Sequence, residues 1–176
     1  MTRRKSINNF QVGRAGWERD RKPKFVEVIN KMLEEKGYNF KFYEIEEHKG
    51  LVPDYEVKEG ENVIAYFEAE FPLSGRWRTG EDFRFPTIRW PKRKFDHYGQ
   101  WSGLYNGKPL FMITIKGDLT DAYYIDAKTW FKRGKEEKVR SSIFYAINKD
   151  DTELGHGLEE LADYMLNRIE EVYKDV

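Results

Sequence analysis

This chain of 176 residues contains no cysteine, which excludes disulfides, thiolate zinc sites and cysteine nucleophiles. It also lacks an apolar run of membrane-spanning length and a secretory hydrophobic region, so we expect a soluble cytoplasmic protein with no membrane partner. Its 31 basic and 31 acidic residues leave no formal net charge. Affinity for a nucleic acid must therefore come from a local basic patch, because the chain as a whole exerts no pull on phosphate.

The composition otherwise fits one ordered domain. Apolar residues make up 39% of the chain and aromatic residues 16%, enough to bury a core at this length. The three histidines lie far apart, and no phosphate-cradling Gly-x-x-x-x-Gly-Lys loop occurs. The sequence therefore predicts neither a histidine metal cluster nor a nucleotide-driven enzyme.

An acidic hairpin between residues 51 and 71 is the most informative feature of the sequence. Apolar and polar residues alternate along 63–71, which is typical of a strand and puts Glu68 and Glu70 on one face. A turn at 59–62 lets the preceding segment fold back beside this strand, so Asp54 would lie close to Glu68. Carboxylates that close repel one another unless a proton or a cation neutralises them, and Mg²⁺ suits such oxygen ligands.

The register of this hairpin decides whether the carboxylates meet. A three-residue loop places Asp54 opposite Glu68, whereas a two-residue loop places it opposite Phe67 and on the wrong face. The site therefore requires an odd-length loop, a bulge, or a twist that frees Asp54 at the start of its strand. The alternative is an ordinary hairpin whose acidic face is solvated.

The pair Pro53-Asp54, followed by Glu68-Ala69-Glu70, resembles the motif of the PD-(D/E)XK nuclease superfamily in a variant that ends in an acid. The basic stretch at 88–94 and a hairpin at 109–129 continue the resemblance, which covers roughly residues 25–130 at the level of element order. It implies a restriction-endonuclease-like α/β domain, with a mixed sheet flanked by helices. It also implies an endonuclease that depends on Mg²⁺ or Mn²⁺ and hydrolyses DNA, with RNA as the alternative substrate.

The resemblance also implies roles for individual residues. Asp54 and Glu68 would hold the metal, helped by the backbone carbonyl of Ala69. Glu70 stands where the superfamily usually has a lysine, and it would orient water or act as a third ligand. Some members supply the lysine from the next helix, and Lys94 is the best candidate for that relocated lysine.

Two further residues are weaker candidates. Lys92 is the second choice for the relocated lysine. Glu27 could be the acid that superfamily members often place on the first helix near the metal, and a solvent-facing glutamate is the competing interpretation. If the acid at position 70 means lost activity, the protein is an inactive module that binds nucleic acid or a protein partner. A third alternative is a structural or assembly protein whose acidic hairpin holds no metal.

Cations interleaved with aromatic residues between 72 and 108 are the candidate nucleic-acid-binding surface, because cations contact phosphates and aromatic faces stack on bases. We expect Phe85 and Trp90 to fill the core instead. Residues 1–22 are basic without an apolar period, so they predict a loose arm ahead of a domain at 23–176, acting on phosphates or as a solubilising tail. The candidate binding residues are Arg76, Arg78, Arg84, Arg89, Lys92 and Arg93.

The remaining segments give a coarse secondary structure. Pro23 is expected to open a helix that ends at Lys36-Gly37, and a strand follows at 40–45. Residues 110–116 and 122–127 predict a buried hairpin, and the charged segment 132–140 predicts a loop or an exposed helix. An apolar stripe at 157–174 predicts a helix that packs against the sheet, or in part against a second subunit of a homodimer.

Overall fold

The computed structural model describes residues 2–46, 52–72, 77, 83, 85–99 and 102–175, with side chains from residue 16 onward. Fourteen helices and strands lie within these ranges, and a short 3₁₀ turn at Leu158–Glu160 precedes the last helix. In chain order they are α1 (Thr2–Glu35), β1 (Phe40–Glu44), β2 (Tyr55–Glu59), β3 (Asn62–Glu70), β4 (Thr87–Pro91), α2 (Lys92–Gly99), β5 (Leu104–Tyr105), β6 (Lys108–Ile115), β7 (Ala122–Asp126), α3 (Ala127–Arg133), β8 (Lys135–Val139), β9 (Ser142–Asn148), β10 (Gly155–His156) and α4 (Leu161–Glu171).

The main sheet has the strand order β1-β2-β3-β6-β7-β10, and β5 pairs with β6 beside this path. Strands β3 and β6 are parallel, while the other neighbours in the sheet are antiparallel. A second sheet, β4-β9-β8, is antiparallel throughout. The prediction of a single α/β domain with a mixed sheet flanked by helices is confirmed at this level.

Two apolar clusters lie against the main sheet. In the first, Phe25, Ile29 and Leu33 of α1 are at most 2% exposed and pack with buried residues of β1–β3, β6, β7 and α4. In the second, Trp90 and Trp130 are fully buried between the main sheet, the second sheet and the short helices. Because burying one large apolar side chain contributes about 1.5–3 kcal/mol, these two clusters hold the layers together.

Helix α1 begins at Thr2, so the prediction that a loose segment precedes a helix starting at Pro23 is wrong. Proline favours the first turn of a helix, but α1 continues on both sides of Pro23. The guanidinium of Arg21 stacks on Trp17, and its Nε donates to the carbonyl of Gly117 at 2.8 Å. The role of residues 1–22 as an arm stays a prediction.

The predicted end of α1 at Lys36-Gly37 is confirmed. Gly37 has a φ of +82°, the left-handed conformation that glycine adopts without a Cβ penalty. The N–H of Gly37 donates to the carbonyl of Glu34, and the N–H of Tyr38 donates to that of Leu33, both at 3.0 Å. These two bonds form a Schellman motif, which satisfies the last carbonyls of the helix.

The hairpin β2–β3 is confirmed, and a bulge sets its register. Glu59 pairs with Asn62, so the loop has only two residues and would by itself misplace Asp54. Between Val57 and Lys58 the pairing shifts, because Val57 faces Ala65 while Lys58 faces Val63. The extra residue on β3 brings Tyr55 opposite Phe67, and the preceding Asp54 is therefore beside Glu68.

Other predictions had mixed outcomes. The strand at 40–45 and the hairpin of β6 and β7 are confirmed, and Trp90 and Phe85 belong to the second cluster as expected. The prediction of a loop or an exposed helix at 132–140 is wrong for 135–139, because pairing with β9 makes these residues strand β8, while Lys132 and Arg133 end helix α3. Helix α4 is shorter than predicted, although Leu161, Ala162 and Met165 are buried on its expected face.

Packing of α4 against a second subunit stays a prediction, as does a homodimer. Within the described ranges, no helix combines the length and the apolar character needed to cross a membrane.

Candidate functional site

Asp54 and Glu68 meet where β2 begins and β3 ends. Asp54 Oδ2 accepts a hydrogen bond from the backbone N–H of Ala69 at 2.8 Å, which holds its carboxyl group beside that of Glu68. The bulge in the hairpin produces this contact, because it moves Asp54 from the level of Phe67 to that of Glu68. The structure therefore brings the two predicted metal ligands together.

Helix α2 contributes Lys94 to the same place. Its Nζ lies 3.0 Å from Glu68 Oε1, 2.5 Å from Glu70 Oε1 and 3.4 Å from the carbonyl oxygen of Ala69. The lysine is only 4% exposed. Lys92, the second choice, instead pairs with Asp96 on the surface of the helix at 2.8 Å. Of the two candidate lysines, Lys94 is thus the one that reaches the acidic strand.

Two residues of the site were missed in the sequence. The hydroxyl of Tyr98 donates to Glu68 Oε2 at 2.5 Å, and Lys22 Nζ of α1 lies 2.9 Å from Asp54 Oδ1. Tyr98 is four residues after Lys94, so both lie on one face of α2, a signal that needs the helix to be recognised first. Lys22 gave no signal, because the sequence placed it in a loose arm.

The pKa values of the two carboxyl groups are shifted in opposite directions. Burial, with Asp54 adding to it, raises the pKa of Glu68 to about 8, despite opposing contributions from Lys94 and Tyr98. Burial also acts to raise the pKa of Asp54, but its hydrogen bond with Glu68 and the cations Lys94 and Lys22 hold that pKa below its usual range. The two neighbouring carboxyl groups therefore resist being charged together, and Glu68 is the one that holds a proton more readily.

With this proton in place, the cluster is close to neutral. Burial acts to lower the pKa of Lys94, but Glu70, Glu68 and Asp54 together raise it above its usual value, so the ammonium stays charged. When Glu68 holds the proton, Glu70 is the charged partner of Lys94, and the contact of Lys94 with Glu68 at 3.0 Å is a hydrogen bond to a neutral carboxyl group. Two ammonium groups, those of Lys22 and Lys94, then balance two carboxylates, those of Asp54 and Glu70.

A divalent cation fits the donor set by its chemistry. The carboxylates of Asp54 and Glu68 and the carbonyl of Ala69 are hard oxygen donors, and Mg²⁺ is usually held by one or two carboxylates together with water and substrate phosphate. No group of three or more histidine, aspartate or glutamate side chains in the described ranges is arranged to hold a metal. An ion here would thus rest on two carboxylates and a carbonyl, with Glu68 giving up its proton.

The predicted nucleic-acid-binding residues are spread over different settings. Arg76, Arg78 and Arg84 lie outside the described residues. Arg93 is exposed on α2 near Lys92.

Arg89 is held inside the second sheet. It pairs with Glu137 at 2.9 Å, and its guanidinium lies over the rings of Phe85 and Phe144. Its side chain is only 9% exposed. This arginine therefore links β4 to β8 in the structure.

Glu27 is exposed on α1, on the side opposite the buried Phe25 and Ile29. This position agrees with the solvent-facing interpretation. Helix α1 contributes Lys22 to the acidic cluster, where the resemblance led us to consider Glu27.

Compared with known proteins, the chain matches no protein-family model, no curated protein and no solved structure. The resemblance to the PD-(D/E)XK superfamily thus stays a prediction, and it rests on a few motif residues. What the protein does has to be argued from the geometry and charge of its own side chains.

Proposed function

We propose that this protein is a metal-dependent nuclease that hydrolyses DNA phosphodiester bonds, with Asp54 and Glu68 as the metal ligands. One observation carries the proposal: two acidic side chains converge at the end of a sheet, beside a lysine that a separate helix contributes. A buried carboxyl pair that holds a proton at neutral pH is a place where a cation can replace that proton.

Each carboxylate of the pair is held by the chain itself. Asp54 is fixed by the N–H of Ala69 and by Lys22, and Glu68 by Lys94 and Tyr98. A bound Mg²⁺ or Mn²⁺ would activate a water molecule and stabilise the negative charge that develops on the phosphate. Fixed ligands favour such chemistry because little reorganisation is needed when charge develops.

Glu70 would act on the attacking water. Its side chain is 14% exposed, against 5% for Glu68, so Glu70 is the more accessible of the two acids on this face of β3. Lys94 holds its Oε1 and so positions the carboxylate, which would orient a water molecule and accept a proton from it. The contacts of Lys94 with Glu68 and Glu70 support the expectation that α2 supplies the lysine that the superfamily usually has at position 70.

A second candidate function is an inactive module that binds nucleic acid or a protein partner on the same fold. The neutral cluster favours it, because Asp54 and Glu70 already have ammonium partners and Glu68 has a proton. A site of that kind is stable without a metal. The two candidates differ in whether a divalent ion displaces the proton and supports cleavage.

The test is a cleavage assay with supercoiled, linear and branched DNA, and with RNA, in Mg²⁺ or Mn²⁺. We expect the wild-type protein to cut at least one substrate and the Asp54→Ala and Glu68→Ala proteins to cut none. Asp96→Ala removes an exposed acid from α2 and serves as the matched control, which should cut like wild type. Absence of cleavage by the wild type, together with absence of divalent-ion binding, would reject the nuclease. Salt-dependent DNA binding without cleavage would then favour the inactive module.

A further inference from the structure

Two lysines reach the acidic cluster from different helices, and their ammonium groups are in different situations. Lys94 lies inside the cluster, with a side chain only 6% exposed. An ammonium group has three N–H donors and no acceptor. Lys94 has three oxygens around it, from Glu68, Glu70 and the carbonyl of Ala69. It could not donate to a substrate phosphate without breaking one of these bonds.

Lys22 lies at the open side of the same cluster. Its Nζ contacts Asp54 Oδ1 at 2.9 Å, and Glu44 Oε1 is farther away at 4.0 Å. Among the described residues, Asp54 is thus its one acceptor at hydrogen-bond distance. The side chains of Asp54 and Glu44 are 19% and 30% exposed, the most open acids around either lysine. A phosphate arriving from solvent would meet Lys22 before it met Lys94.

The backbone around Lys22 is fixed by contacts that do not involve its side chain. The hydroxyl of Tyr55 in β2 donates to the carbonyl of Lys22 at 2.9 Å. Its neighbour Arg21 donates to the carbonyl of Gly117 at 2.8 Å and stacks on Trp17. The backbone at Lys22 is therefore held by β2 and by the turn at Gly117, and a substitution of the Lys22 side chain leaves these contacts intact.

We propose that Lys22 contacts the substrate phosphate and that Lys94 is an internal counter-ion that positions Glu68 and Glu70. This role for Lys22 rests on the proposed function and deepens it, because it assigns the residue that recognises the phosphodiester. A phosphate oxygen that approaches a cation held by Asp54 comes within reach of Lys22, since Lys22 Nζ already lies beside Asp54 Oδ1. The part of helix α1 that precedes Pro23, which the sequence predicted to be a loose arm, thus supplies a binding group to the site.

The test compares Lys22→Met and Lys22→Arg with wild type in DNA binding, measured by fluorescence anisotropy over a range of salt concentrations. Loss of one charge-assisted contact should weaken binding by about tenfold or more. It should also reduce the slope of log affinity against log salt by about 0.7–0.9, the value for one phosphate. Lys22→Arg should keep the slope. Lys36→Met is the matched control, because Lys36 directly follows α1 and also pairs with a carboxylate, that of Glu159, and it should leave both quantities unchanged.

The thermal midpoint is measured for the same proteins, together with Lys94→Met. We expect Lys94→Met to lower the midpoint much more than Lys22→Met does, and to keep the salt slope of wild type. If wild type binds DNA and Lys22→Met binds with the same affinity and slope, the role of Lys22 is overturned while the nuclease proposal stands. If wild type neither binds nor cuts DNA, both fall together. A change of slope in Lys94→Met as large as that in Lys22→Met would also overturn the division of roles.

Discussion

Replacing Lys94 by methionine is expected to destabilise the protein strongly. Methionine keeps most of the apolar length of the side chain, so the change removes mainly the ammonium group. Its loss removes an ammonium partner from the half-buried Glu70 and one donor each from the buried Glu68 and the Ala69 carbonyl. Removing one member of a buried ion pair costs about 3–5 kcal/mol, because the remaining charge stays out of water. We expect that loss in the free energy of unfolding.

The assay is urea denaturation, with thermal unfolding as a second measurement. For a chain of this length, 1 kcal/mol shifts the thermal midpoint by roughly 2–4 °C, so a fall of roughly 6–20 °C is expected. Lys92→Met is the matched control, because Lys92 is two residues away on the same helix and its pair with Asp96 is exposed. Exposed pairs contribute at most about 1 kcal/mol. A loss in Lys94→Met no larger than that in Lys92→Met would refute the account of a buried ionic cluster.

Two further predictions concern Glu68 and its partners. The pKa of Glu68 is 4.5 in the unfolded chain and about 8 in the folded protein, so between these pH values only the folded protein keeps the proton. The free energy of unfolding of the metal-free protein should therefore fall as the pH rises from 4.5 to about 8. The slope should approach 1.4 kcal/mol per pH unit at most, and a Glu68→Gln protein that showed the same slope would contradict this. Tyr98→Phe should cost about 1–3 kcal/mol in urea denaturation, because it removes a buried hydroxyl bonded to Glu68. Tyr43→Phe, at a position 43% exposed, should cost little, and equal losses in the two proteins would be inconsistent with the bond.

The acidic hairpin could be predicted because its signals are local. Alternation of apolar and polar residues along β3 places Glu68 and Glu70 on one face, and the turn follows from residues next to it in the chain. The register could not be predicted in the same way. It depends on a bulge opposite Val57, and no residue type marks that bulge in the sequence. The sequence could only state that a bulge, an odd loop or a twist was needed.

The parts that were missed depend on contacts distant in sequence. Strand β8 is rich in charge and reads as a surface segment, and it becomes a strand because β9 pairs with it. Strand β4 and helix α2 are only five and eight residues long, which leaves too few positions for a period to stand out in the sequence, although Trp90 and Tyr98 are both buried in the second cluster. Lys22 was missed because Pro23 was taken as the first residue of the helix, whereas α1 runs through it.

The most direct test of the central claim is calorimetric titration of Mn²⁺ into the metal-free protein at neutral pH, repeated in buffers with different ionisation enthalpies. We predict binding at one site, lost in Asp54→Asn, with release of up to about one proton per ion, because Glu68 must give up its proton to bind the cation. Glu68→Gln should release no proton from this site. Absence of binding, or binding that Asp54→Asn leaves unchanged, would contradict the assignment of Asp54 and Glu68 as metal ligands.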